Sequence, residues 1–175
     1  FAQLPNVEIL KGDILDAASV ERAVQGVDTI FHCASVLNLH YFWASITRKV
    51  TVDGTKNLLD AALKAGVKRF IFTSTHNVVF NRTPIEMGDE SLPFTSSYID
   101  TYTEAKQIAE RLVLDYNGKD GLYTCCIRPG GIWGAKDQMT LKAFIKSKSI
   151  PLVNRVAVNY DWSLDMSFNY NLAHC

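Results

Sequence analysis

The chain has 175 residues, 47% of them hydrophobic, and its 18 basic side chains balance 18 acidic ones. That length predicts a single domain of ordinary globular composition. Dispersed basic residues argue against a nucleic-acid or anionic-membrane surface. No run approaches the ~18 apolar residues of a bilayer-spanning helix, and Phe1–Glu8 lacks the regions of a signal peptide.

In chain order, Val7 to Leu10 is apolar and β-branched and ends at Gly12-Asp13, which predicts a first strand. Asp16 is placed to cap a helix over 17–25, with Gly26 just beyond. A second strand is expected at 29–33, an aromatic loop at 37–43 and a long helix at 46–64, closed by Ala65-Gly66. The third strand is 69–73. Residues 81–98 carry Pro84, Gly88 and Pro93 without a period and read as a long loop, a kind usually functional or mobile. A helix follows at 103–116 with an apolar stripe at Ile108, Ala109, Leu112 and Val113. The fourth strand is 122–127, broken by Arg128-Pro129-Gly130-Gly131, and a helix is expected over 138–146.

Strands alternating with helices predict an α/β fold, a parallel sheet with right-handed crossovers and helices on both faces. Ligands of such sheets bind beyond the carboxyl ends of the strands. Four cysteines, Cys33, Cys125, Cys126 and Cys175, have no metal or redox spacing. They read as small buried side chains in a reducing compartment, Cys125 and Cys126 pointing to opposite faces of one strand.

Gly12-Asp13, His32 to Ser35, Thr73-Ser74-Thr75 and Arg128 to Gly131 follow the four expected strands, on one rim of the sheet. Near that rim Tyr102 and Lys106, four apart, share a helical face. Exchange of hydride at a carbonyl or alcohol carbon needs a proton donor or acceptor beside it. A free tyrosine titrates near ~10, so a neighbouring ammonium and a cationic nicotinamide are expected to favour phenolate. Lysine can also bond ribose hydroxyls, and a hydroxyl at the third strand's end would polarise the carbonyl oxygen. With seven tyrosines, one Tyr-x-x-x-Lys match means little alone. Its place between a strand ending Thr-Ser-Thr and one ending Arg-Pro gives it weight.

These segments resemble the extended short-chain dehydrogenases/reductases. Tyr102-Thr-Glu-Ala-Lys106 is similar to their catalytic segment, and Phe72-Thr73-Ser74-Thr75 to their active-site serine segment. Arg128-Pro129-Gly130-Gly131-Ile132-Trp133-Gly134 resembles their Arg-Pro-x-x-Ile-Tyr-Gly motif, and Val52 to Leu58 their fourth helix. Gly88 to Pro93 and Thr124 to Pro129 are most similar to the 3β-hydroxysteroid dehydrogenase/isomerase-like branch. The resemblance implies a Rossmann-like doubly wound sheet, NAD or NADP as cofactor, Tyr102 as catalytic acid/base, Lys106 as its partner and Thr75 as the carbonyl-polarising hydroxyl. It implies that Asp13 and Ile14 contact adenine, that Ala34 and Ser35 line the cofactor's middle, that Lys106 holds ribose, and that Pro129 and Ile132 pack near the nicotinamide. Asp13 also reads as a turn residue, Ser35 as a cap, and His32 as a strand-end residue bonding locally. Trp133 and the cluster Tyr41, Phe42 and Trp43 read equally as core or as a wall for a flat apolar substrate.

Two departures stand out. Thr51 replaces an asparagine that helps link the family's lysine to solvent, and the chain contains no Gly-x-x-Gly-x-x-Gly. The first strand here matches the family's third, so its first two strands are expected in roughly 30–50 further residues ahead of Phe1. Residues 1–150 are expected to be a partial dinucleotide-binding domain with the catalytic residues, and 151–175 the start of a substrate region. The leading expectation is an NAD(P)-dependent oxidoreductase acting on a hydroxyl or keto group of a steroid-like molecule. The alternatives are a nucleotide-sugar epimerase or dehydratase, and a non-enzymatic cofactor-sensing module. A small-molecule substrate, no nucleic acid, no metal, and a homodimer as an allowed state complete the expectation. So does a cytoplasmic location, extending to the cytoplasmic face of the endoplasmic reticulum through segments outside this chain.

Overall fold

The computed structural model describes residues 5–36, 44–137 and 166–175. The loop expected at 37–43, with Tyr41, Phe42 and Trp43, the helix at 138–146 and the boundary at 150 lie outside them. Two compact units meet in the chain at Ile127 and Arg128.

The first unit begins with helix α1 (Ala17–Ala23), whose N-cap Asp16 accepts from the Ala18 N–H. Strand β1 is Thr29–His32. The expected long helix is α2 (Ala44–Arg48), a π-turn at Lys49–Asp53, and α3 (Gly54–Ala65). It ends where Gly66 takes φ +72°, a left-handed conformation that releases the chain from the helix. Strand β2 is Arg69–Thr73, as expected. Helix α4 spans Thr101–Asp115, two residues earlier than its apolar stripe suggests, because the Asp100 side chain accepts from the Thr103 N–H and fixes its start. Strand β3 is Tyr123–Ile127.

The three strands form a parallel sheet in the order β1-β2-β3. Ile30, Phe70 and Thr124 lie in register, as do His32, Phe72 and Cys126. This face receives the helices, and Phe70, Phe72, Leu59, Ala62, Val67, Ala109 and Val113 form its core with at most 1% exposure. Phe31, Ile71 and Cys125 share the next register row. Phe31 is 72% exposed and Tyr123 69%. Among the described residues the sheet is thus covered on one face, not on the two expected.

The strand expected at 7–10 does not form. Val7, Ile9 and Leu10 are exposed and belong to no ladder, and a β-branched run without a partner gains no hydrogen bonds from extending. The cysteines also differ from expectation. Cys125 and Cys126 do alternate across β3, but Cys33, Cys125 and Cys175 are exposed and Cys126 is only half-buried.

In the second unit β4 (Gly131–Trp133) pairs in parallel with β5 (Met166–Phe168), followed by the short helix α5 (Asn169–His174). Gly130 N–H donates to Ser167 Oγ at 3.1 Å. The rings of Trp133 and Phe168 lie 5.0 Å apart.

Candidate active site

Tyr102, Lys106 and Glu110 succeed one another at four-residue steps along α4 and so share one face. Lys106 is 2% exposed. Its Nζ donates to the Thr73 carbonyl at 2.6 Å and sits 4.5 Å above the Phe72 ring centroid. Burial brings this ammonium down to about 8, against the opposing pull of Cys33, Cys126 and Glu110. One of its three donors is committed to Thr73, which leaves capacity for ribose hydroxyls. The Tyr102 ring lies 5.9 Å from the same ammonium. Burial, and after it the Asp100 carboxylate, pushes the Tyr102 phenol up. The ammonium therefore does not by itself deliver the phenolate expected from sequence, because removal from water penalises the anion more strongly.

The end of β2 sorts two adjacent hydroxyls. Ser74 is 2% exposed and donates to Glu110 Oε2, while its own N–H donates to Ile127 O at 2.7 Å. Thr75 Oγ1 accepts from the Asn77 N–H at 3.3 Å and caps the 3-10 turn His76–Val79. Its hydroxyl proton remains available to a ligand, whereas that of Ser74 is spent on a carboxylate.

A polar chain runs beside the lysine. Thr55 donates its one hydroxyl proton to the Thr51 carbonyl at 2.5 Å. The contact between His32 Nε2 and Thr55 Oγ1, 2.8 Å, must then have His32 as donor. His32 thus donates to a helix 23 residues further along the chain, not to a local partner as read from its place at a strand end. Burial, followed by the Lys106 charge, brings it down to about 4. Ser35 Oγ lies 3.0 Å from Thr51 Oγ1, which ties the loop after β1 to the π-turn. Thr51, the departure from the asparagine pattern, is fully buried there.

Of the remaining expected residues, Asp13, exposed, forms a local turn in which its Oδ1 accepts from Leu15 N–H at 2.9 Å. Ile14 packs against the core, and its carbonyl accepts from Asn57 Nδ2 on α3 at 3.1 Å. Ala34 is exposed. Pro129, buried, and Ile132, 39% exposed, belong to the second unit. Trp133 is 48% exposed, so it is not core among the described residues.

Sequence reading missed Glu110 and Gln107. Gln107 is 2% exposed; its amide donates to Val78 O and Thr95 O at 3.3 and 2.8 Å, and its carbonyl accepts from Tyr98 at 2.8 Å. It staples the long loop to the turn after Lys106. The signal for both was a polar side chain on the apolar face of an amphipathic helix. Among the described residues no group of acidic, histidine or cysteine side chains could hold a metal. No helix among them is long and apolar enough to cross a membrane.

A parallel sheet whose strand ends meet a Tyr-x-x-x-Lys helix defines a short-chain dehydrogenase/reductase. A solved dTDP-glucose 4,6-dehydratase from Streptomyces venezuelae, crystallised with NAD, superposes with a TM-score of 0.79 over 99% of this chain and 54% of its own, at 23% identity. A UDP-glucose 4-epimerase from Thermotoga maritima superposes with a TM-score of 0.75 over 93% of this chain and 55% of its own, at 19% identity. Likeness at these identities concerns the fold. The sequence profile of the 3-beta hydroxysteroid dehydrogenase/isomerase family matches residues 1–175, and the chain belongs to that family. A 3 beta-hydroxysteroid dehydrogenase/Delta 5-->4-isomerase of Mycobacterium tuberculosis is 44% identical over 97% of this chain and 48% of its own length. A mouse sterol-4-alpha-carboxylate 3-dehydrogenase is 34% identical over 97% of this chain and 47% of its own. The chain thus spans about half the length of these relatives.

Proposed function

We propose that the protein carrying this chain is an NAD(P)-dependent oxidoreductase that interconverts a hydroxyl and a keto group on a steroid or sterol. The observation that carries the reading is Lys106, buried and bonded to the Thr73 carbonyl, one turn after Tyr102 and at the same strand end as Thr75. Steroid and sterol dehydrogenases recur among the named relatives, and this favours a flat apolar alcohol over a nucleotide sugar.

The residues present fit the adenosine and ribose end of a dinucleotide. Asp13 is exposed, Ala34 adds little bulk at the rim, Ser35 is anchored beside it, and Lys106 retains donors. Asp13 and Ile14 would hold adenine, Ala34 and Ser35 the middle, and Lys106 the ribose. The bound cofactor supplies or accepts the hydride. During reduction Tyr102 gives its phenolic proton to the carbonyl oxygen, and during oxidation it takes that proton back. The Thr75 hydroxyl donates to the same oxygen and stabilises its developing charge. The Lys106 ammonium beside Tyr102 lowers the cost of the transient phenolate.

On this reading residues 1–150 are part of the cofactor-binding and catalytic domain, and 151–175 open the substrate region. A homodimer, and attachment to the cytoplasmic face of the endoplasmic reticulum, belong to the same proposal. The test is oxidation of 3β-hydroxysteroids by the intact natural protein with NAD and with NADP, beside a panel of nucleotide sugars. Turnover confined to the sugars would overturn the substrate assignment.

A further inference from the structure

The Asp13-Ile14 turn, the adenine end of the proposed cofactor site, has no β-ladder to hold it: among the described residues, 7–13 are exposed and lie outside both sheets. Two local bonds close the turn on itself, from Leu15 N–H to Asp13 Oδ1 at 2.9 Å and from Asp16 N–H to Asp13 O at 3.0 Å. Neither fixes it relative to the rest of the site. Helix α3 does so at two positions three residues apart, which share one helical face. At Gly54 the helix approaches Ile14 so closely that a Cβ would stand 2.8 Å from Ile14 Cγ2. Three residues on, Asn57 Nδ2 donates to the Ile14 carbonyl at 3.1 Å, across 43 residues of sequence. The π-turn that runs into α3 carries Thr51, whose Oγ1 lies 3.0 Å from Ser35 Oγ. Residues 51, 54 and 57 of one helical rod thus hold both loops expected to meet the cofactor.

We propose that Asn57 is a positioning residue of the cofactor site: its amide latches the Asp13-Ile14 turn onto α3, the same rod that holds Ser35 through Thr51. The inference rests on the reading of Asp13, Ile14 and Ser35 as cofactor contacts. A carbonyl in a half-exposed turn can take its hydrogen bond from water, and a water bond leaves the turn free to drift. A donor on a different element removes that freedom before a cofactor arrives, so less binding energy goes into ordering the loop. The choice of carbonyl follows from Ile14. Its side chain packs against the core and is seated on Gly54, and its carbonyl is held by Asn57. Ile14 is thereby fixed at two points, and Asp13 is its immediate neighbour.

The test uses the intact natural protein and two readouts. The first is hydrogen exchange of the ligand-free protein, followed by mass spectrometry over residues 11–16. The second is calorimetric affinity for AMP, for nicotinamide mononucleotide and for NAD. Asn57→Ala removes the donor from a half-buried position and installs the best helix former, so α3 itself is not weakened. Exchange over 11–16 should quicken, while exchange over 69–73 in β2 stays as in the parent. Affinity for AMP and NAD should fall roughly two- to tenfold, the worth of one lost hydrogen bond. Affinity for nicotinamide mononucleotide, which lacks the adenosine, should stay. Asn57→Gln keeps an amide donor and should recover part of the loss. Gly54→Ala crowds Ile14 with the amide intact and should weaken AMP in the same way; it decides the matter if Asn57→Ala does not fold. Unchanged exchange over 11–16 in Asn57→Ala, or in Gly54→Ala where Asn57→Ala is unfolded, overturns the latch. Equal losses for AMP and nicotinamide mononucleotide also overturn it, since they would mark a general loosening of the fold. A looser turn with AMP affinity unchanged overturns the cofactor role. Selective loss of AMP binding, in a protein whose parent transfers no hydride from 3β-hydroxysteroids, upholds the positioning and sinks the dehydrogenase reading instead.

Discussion

Replacing Thr75 by valine separates two tasks of one oxygen. Thr75 is 8% exposed, and its Oγ1 accepts from Asn77 N–H at 3.3 Å. Valine preserves the branched shape and removes only the hydroxyl. Losing a cap of this length should cost stability at the low end of the range for such caps, about 0.5–1 kcal/mol. Losing a donor to the developing oxyanion should cost on the order of 10²-fold in kcat, about 2.7 kcal/mol. Thr75→Ser retains both contacts and should remain within a few-fold of the parent. Urea unfolding reads the first effect and steady-state hydride transfer the second. Equal turnover in the valine and serine variants would refute the assignment. Ser74 could not then be invoked without first breaking its bond to Glu110.

His32 titrates near 6.5 when unfolded and near 4 in the folded chain, where burial keeps it neutral. The unfolded state therefore binds the proton more readily, and stability should decline as pH falls from about 6.5 towards 4, by on the order of 2–3 kcal/mol at most; His32→Gln should flatten that slope in urea melts. Gln107→Leu strips partners from Val78, Thr95 and Tyr98 and should cost about 1–3 kcal/mol. Trypsin should then cut at Arg82 in the loop faster than in the parent, and an unchanged rate would argue against the staple. The 175-residue chain produced by itself should give no tight NAD or NADP binding by titration calorimetry, because its sequence has no glycine-rich turn through which backbone amides reach a pyrophosphate. Micromolar binding would contradict this.

Where local chemistry decides, the sequence was readable. Asp16 and Gly66 bracket helices through a cap and a left-handed residue, and 69–73 is a strand because its alternating apolar residues face a core. The run at 7–10 is also apolar and β-branched and fails, since composition cannot supply a neighbouring strand. The π-turn at Lys49–Asp53 was also hidden, since no residue pattern in the sequence marked a change of hydrogen-bond offset inside the long helix. In the site, Tyr102 and Lys106 were legible because one helix spaces them. Glu110 and Ser74 are 36 residues apart, and only the crossover from β2 to α4 brings them together. The rise in the Tyr102 phenol was missed for a similar reason. Spacing shows which charges are near, and burial decides which of them prevail.

The most direct measurement is the turnover of Tyr102→Phe in the intact natural protein, with a 3β-hydroxysteroid and NAD or NADP, beside cofactor binding by fluorescence. The change removes one phenolic oxygen and leaves the ring against Lys106. Hydride transfer should fall by at least 10²-fold, the usual worth of a positioned acid or base, with cofactor affinity nearly unchanged. A phenylalanine variant that keeps most of its turnover would contradict the account, because no proton would then need to pass through Tyr102.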